Sequence, residues 1–168
     1  YKDGTFSVEP KVIDRKRMKD LNNHLMLFFT GISRFSLEVA KSQVSNIKNC
    51  HSQMSELYDM VGEGSSILSN INTPIDEFGK LLHKAWEIKR SLSDKITNLK
   101  IDKLYNAAIN AGAIGGKVLG AGGGGFVLFF VKPENQNKVK IALANLTFVP
   151  FKFENTGSKV VLYQPNGL

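Results

Sequence analysis

Hydrophobic and polar positions change their period several times along the chain, and each change marks an element boundary. Thr5-Phe6-Ser7-Val8-Glu9 alternates as a strand does before Pro10 interrupts it. Lys11 to Asn22 is charged and reads as connecting sequence with a helical turn around Asp14 to Leu21. His24 to Thr30 is a continuous apolar run, the pattern of a strand buried on both faces, and Gly31 ends it. From Ser33 the spacing turns helical: Phe35, Val39, Val44, Ile47, Met54, Leu57, Met60 and Val61 share a face, broken near Asn49 and at Gly62 and Gly64. Thr73-Pro74 offers a cap and a first-turn proline for a helix that runs to about Leu92, and a further helix covers Ile101 to Ala111. Strands return over Gly125 to Lys132. After a helix from about Glu134 to Leu146, Thr147 to Glu154 and Ser158 to Tyr163 form a hairpin turning at Asn155-Thr156-Gly157. The order β, several α, β, α, β, β predicts an α+β domain: a ferredoxin-like four-stranded antiparallel sheet with helices on one side plus inserted helices.

Composition narrows the partners. The chain of 168 residues fits one domain, and its 42% hydrophobic content is ordinary for a packed fold. The longest apolar run, Gly122 to Val131, is too short and glycine-rich to span a bilayer, so no membrane is expected and the location reads as cytoplasmic. With a single cysteine, Cys50, and three scattered histidines, neither an internal disulfide nor a zinc cluster is expected. The net charge is +7, and the excess lies in the second half: residues 85–168 carry 11 Lys+Arg against 5 Asp+Glu, whereas residues 1–84 carry 11 against 10. No basic tract exceeds three residues and no aromatic-interleaved RNA-binding motif appears, so small phosphorylated ligands fit better than nucleic acid.

Eight of the 15 glycines fall within the fourteen positions from Gly112 to Gly125. Glycine loses more backbone entropy on folding than any other residue, so such a cluster needs a reason. A tight connection explains two or three. Four in succession before an apolar strand favour a loop whose amides approach an anion or another backbone. Gly120-Ala121-Gly122-Gly123-Gly124-Gly125 satisfies GxGxxG literally, yet the dinucleotide fingerprint needs a strand before it and a helix after it. Here the order reads as helix, then loop, then strand. A phosphate-loop motif of the Walker type fails as well, because Val118 follows Gly116-Lys117 and no glycine stands at the required spacing.

The run Gly115-Gly116-Lys117-Val118-Leu119-Gly120-Ala121-Gly122-Gly123-Gly124-Gly125-Phe126 followed by an apolar strand resembles the third sequence motif of the GHMP kinases. Many members have Ser or Thr where Leu119 stands, and leucine there is similar to the heptose 7-phosphate kinase branch. His24 to Arg34, Phe78 to Ser93, Ile101 to Tyr105 and Val149 to Ser158 resemble that branch too. The resemblance implies that residues 1–22 are the end of an N-terminal domain and a connector, and that residues 23–168 are the C-terminal domain. The remaining N-terminal domain would be the chain's own partner. It would hold the loop that wraps the ATP phosphates, the acidic base and most of the Mg2+ contacts, and no residue here matches either motif. The resemblance also implies an ATP-dependent transfer to a sugar phosphate, at O1 of a heptose 7-phosphate, with a fucokinase or galactokinase type as the alternative. The chain alone would then be inactive. A non-catalytic ferredoxin-like module binding a small regulator or RNA is the rival from another class, and a homodimer is a further possibility. The loop residues Gly120 to Gly125 become the cofactor-binding candidates, and no catalytic or metal-binding residue is assigned.

The helix after Pro74 carries a second feature. Phe78, Leu81, Leu82, Ala85, Ile88 and Leu92 fall on one stripe, the expected core face, while Gly79, His83, Trp86 and Arg90 fall nearly opposite. Two readings fit. Either another helix covers that side, with Trp86 as packing and Arg90 paired to a carboxylate, or the stripe lines a cleft. In the cleft reading, Trp86 walls a sugar ring, His83 and Arg90 bind substrate oxygens, and Lys89 assists. Thr30, Gly31 and Arg34 at the end of the first strand are the other substrate candidates. There Thr30 or Ser33 can cap the next helix, and Arg34 stands in its first turn against the dipole's preference.

Overall fold

The computed structural model describes residues 4, 6, 8, 10–32, 36–154, 157, 158 and 160, apart from the side chain of Ser36. Helix α1 (Arg15–His24) starts where Asp14 accepts from Lys16 N at 2.8 Å and Arg17 N at 3.2 Å, and it runs directly into β1 (Leu25–Phe29). Helix α2 (Ser36–Asn46), one 3-10 turn and α3 (His51–Ser69) follow, so the helical pattern does break near Asn49. It does not break at Gly62 or Gly64, which lie inside α3. Helix α4 (Asp76–Ser91) begins without a side-chain cap, so Thr73 does not serve as one. Asn98 caps α5 (Leu99–Asn110) by accepting from Lys100 N and Ile101 N.

Strands β2 (Ala113–Val118) and β3 (Phe126–Val131), helix α6 (Gln136–Ala142) and the short β4 (Thr147–Val149) complete the fold. All four strands pair antiparallel in the order β2-β3-β1-β4. Strand β2 is an addition to the sequence reading. Its Gly115-Gly116 pair reads as a strand breaker, yet bare backbone is what its surroundings demand. A Cβ on Gly115 would collide with Gly79 O and stand 2.8 Å from His83 N; one on Gly116 would stand 2.5 Å from the Phe129 ring. The expected strand from Thr147 stops at Val149, and the strands expected over Thr5 to Glu9 and Ser158 to Tyr163 lie mostly outside the described residues. The four-stranded sheet stands all the same, with β2 as one of its four strands.

On one face of the sheet, Met26 and Phe28 of β1 and Val127, Phe129 and Val131 of β3 meet Ile101, Tyr105 and Ala108 of α5 and Val139 and Leu143 of α6. This is the helical layer that the sequence predicts. The opposite face is closed at one end, where Leu25 and Phe130 lie under Leu21 of α1, Leu68 of α3 and Phe78 and Leu82 of α4. Helix α4 packs along the edge strand β2 and touches both clusters. The two outward carbonyls of that edge are taken by side chains rather than by a further strand: Gly116 O accepts from the Tyr105 hydroxyl at 3.3 Å and Val118 O from Lys89 Nζ at 3.3 Å.

Candidate functional site

The glycine loop joins β2 to β3, so it is a hairpin loop and not the helix-to-strand link expected from the sequence. The dinucleotide reading still fails, because a strand and not a helix follows it. Leu119 N donates to Phe126 O at 2.9 Å and closes the base of the loop. Two neighbouring segments then clasp it. From the exit of β1, Thr30 donates to Gly125 O through both its amide and its hydroxyl, each at 2.8 Å, and Ile32 O accepts from Gly125 N at 3.0 Å. From the segment before α5, Ile96 O accepts from Gly123 N at 2.6 Å and Asn98 Nδ2 donates to Gly123 O at 3.2 Å.

Bare backbone is required at two points of this clasp. A Cβ on Gly122, whose φ is +109°, would stand 2.6 Å from Ile96 O, and one on Gly124 would stand 2.6 Å from Ile32 O. Gly123 and Gly125 thus spend their amides on the clasp, whereas the consecutive amides of Gly120, Ala121 and Gly122 make no hydrogen bond among the described residues. Carbonyls on the same stretch are held from behind: Gly120 O accepts from Lys89 Nζ at 2.5 Å and Ala121 O from Gln43 Nε2 at 2.6 Å. The result is a short row of N–H donors backed by a cation, a setting that favours an anion.

Beside this loop lies a cleft of about 480 Å³. It is lined by Thr30, Gly31 and Ile32 from the β1 exit and by Lys100, Lys103 and Leu104 from α5. Thr30 itself is buried and acts on the loop, its hydroxyl also accepting from Ile32 N at 3.2 Å, so neither of these bonds caps α2. Gly31, at φ +67°, is exposed at the rim. Arg34 lies outside the described residues. Lys100 and Lys103 were not singled out from sequence. Their signal was present: two cations three residues apart at the start of a helix, against the dipole, in the half of the chain that holds the excess charge.

The stripe on α4 does not line this cleft. Trp86 is completely buried, its ring 5.9 Å from that of Tyr105, and no sugar ring can reach it. The Nδ1 of His83 shares a 2.7 Å hydrogen bond with the Tyr105 hydroxyl. Arg90 directs Nη2 at Asp102 Oδ1, 2.8 Å away, and Nη1 at Glu87 Oε1, 3.4 Å away. The physical reason is that β2 packs along α4 while Tyr105 and Asp102 of α5 reach this side of it, so Trp86 is packing and Arg90 is paired to a carboxylate. Only Lys89 reaches the loop, through Val118 O and Gly120 O.

Burial raises the Tyr105 hydroxyl well above the ordinary tyrosine value, with Glu87 adding to the effect. The sign follows from linkage: the unfolded chain releases this proton near pH 10 while the folded chain retains it. Stability is therefore expected to fall as pH rises past about 10. Urea melts across that range should show the loss, and Tyr105→Phe should flatten it.

Residues 67–147 match the family model described as GHMP kinases C terminal. Over that span, 81 of the 168 residues, the chain is similar to the C-terminal domain of the GHMP kinases. Among individual relatives, it is 26% identical over 164 residues to the D-glycero-alpha-D-manno-heptose 7-phosphate kinase of Campylobacter jejuni, covering 95% of this chain and 48% of that protein. It is 27% identical over 135 residues to the bifunctional fucokinase/GDP-fucose pyrophosphorylase of Arabidopsis thaliana, covering 78% of this chain and 12% of that protein. The chain thus spans about half the length of the first and far less of the second. The crystal structure of the Methanococcus jannaschii mevalonate kinase shares the fold with a TM-score of 0.68 at 23% identity, over 85% of this chain and 44% of that one. No described helix is long and apolar enough to cross a membrane. Among the described residues, no group of three His, Cys, Asp or Glu side chains is placed to hold a metal ion.

Proposed function

We propose that this chain is the loop-bearing part of an ATP-dependent sugar kinase that phosphorylates a heptose 7-phosphate at O1 in the cytoplasm. The observation that carries the reading is the row of amides from Gly120 to Gly122, backed by Lys89 and joined through Thr30 and Ile32 to a cleft with Lys100 and Lys103. ATP, when bound, supplies the γ-phosphoryl group. Gly120, Ala121 and Gly122 offer N–H donors to its phosphate oxygens, and Lys100 and Lys103 hold the distal phosphate of the sugar as point charges. Among the described residues, no group of three His, Cys, Asp or Glu side chains is placed to hold Mg2+.

Positioning and charge stabilisation carry most of the catalysis in phosphoryl transfer, which suits a site made of backbone donors and lysines. The reading includes an N-terminal lobe before this chain, since the Campylobacter relative is about twice as long as the span it shares. That lobe would bring the acidic base, the metal ligands and the remaining phosphate contacts, and residues 1–22 would lead out of it. The plant fucokinase relative favours a second reading, a neutral sugar as acceptor.

The kinetics of the protein with its N-terminal lobe separate the two. Replacing both Lys100 and Lys103 by alanine is expected to raise KM for heptose 7-phosphate roughly 10- to 100-fold, the size of one or two lost charge-assisted hydrogen bonds. The KM for a neutral sugar should hardly move. Equal effects on both substrates, or faster turnover of fucose than of heptose 7-phosphate, would favour the neutral-sugar reading.

A further inference from the structure

A second concavity, away from the glycine loop, lies between α3 and α4, with Lys117 of β2 in its lining. It holds about 450 Å³, and its walls are apolar: Leu57, Met60 and Leu68 on α3 face Phe78, Leu82 and Ala85 on α4. Ser65 and Lys117 are the polar exceptions among the lining residues. Lys117 stands on β2 opposite Leu128 of β3, so it rises from the sheet into this apolar surround.

Its ammonium has no hydrogen bond or ion pair among the described residues. Glu56 on α3 pairs with Lys84 at 2.7 Å. Burial holds Lys117 below the ordinary lysine range, with no opposing charge to raise it again. An unpaired ammonium among leucines is unfavourable for the fold by itself, and an anion entering from solvent would relieve it.

Gly64 supports the same view. It lies buried inside α3, where glycine weakens a helix, yet a Cβ there would make only ordinary contact, 3.4 Å from Leu81 and 3.7 Å from Phe78. Helix packing therefore does not demand glycine at this point. The missing side chain leaves the groove wider than an alanine would.

We propose that this groove binds an amphipathic anion: an aliphatic chain lying between α3 and α4, ending in a carboxylate on Lys117 Nζ. The site is separate from the glycine loop and does not depend on the kinase reading. It demands a ligand with both parts, because the walls offer nothing to a small hydrophilic anion and the lysine rejects a purely neutral chain.

Titrating the protein with decanoate, decanol and acetate tests both parts, read by calorimetry and by NMR shifts of the leucine methyls. Decanoate is expected to bind saturably and to move the methyls of Leu57, Leu68 and Leu82. Decanol and acetate should each bind roughly tenfold more weakly or worse. Lys117→Met should bring decanoate level with decanol, and Lys117→Arg should keep the preference. Gly64→Leu, which fills the groove, should weaken both chains. Circular dichroism confirms that each variant is folded, and the arginine variant keeps the test alive if the methionine variant is not. The proposal is overturned if decanoate and decanol bind the parent chain equally, if Lys117→Met leaves decanoate binding unchanged, or if the shifted methyls lie elsewhere.

Discussion

Trp86→Ala is expected to destabilise the fold by about 3–5 kcal/mol, the range for deleting a fully buried aromatic side chain. The ring lies wholly inside the main core, 5.9 Å from the ring of Tyr105. Urea denaturation measures the loss directly, and a fall in Tm of roughly 6–20 °C accompanies it in a protein of this size. Trp86→Phe is expected to be mild, because the indole Nε1 has no hydrogen-bond partner to lose. A sugar-binding tryptophan would behave in the opposite way, with near-normal stability and a raised KM in the alanine variant. That outcome would return Trp86 to the cleft.

Gly115→Ala tests the contact that seats α4 on the sheet. The new methyl would collide with Gly79 O and press on His83 N at 2.8 Å, both backbone atoms that a rotamer change cannot move. Forcing the helix off β2 is expected to remove about 1–3 kcal/mol of stability or more. It should also loosen the Lys89 contacts with Val118 O and Gly120 O, which depend on the same approach. Hydrogen exchange at Leu119, whose amide bonds Phe126 O beside these contacts, should then quicken. Gly62→Ala is the matched control. It lies within α3 with open space where its Cβ would stand, and alanine there is expected to add about 0.5–1 kcal/mol. Equal melts for the two variants would rule out the close packing of α4 on β2.

Local signals were good guides wherever one element decides its own state. The apolar runs that became β1 and β3 have no competing period, and the helical spacing of α4 and α5 is strong enough to place both within a few residues. Strand β2 was hidden because the property that suits it, two glycines in succession, counts against a strand in any local scale. The α4 stripe stayed open between two readings for a related reason. Helical periodicity states which residues share a face, and says nothing about what covers that face.

By itself, the sequence determined the α+β class, the antiparallel sheet with its helical layer, and a loop from Gly120 to Gly125 that needs bare backbone. Each follows from periodicity and from glycine's conformational freedom, which are properties of neighbouring residues. Only the tertiary structure decided which amides of that loop are spent on Ile32 and Ile96, that α5 buries Trp86 and engages Arg90, and that Lys100 and Lys103 share a cleft with Thr30. Those outcomes depend on contacts between residues from twelve to more than ninety positions apart, whose geometry is set by how the helices pack around the sheet.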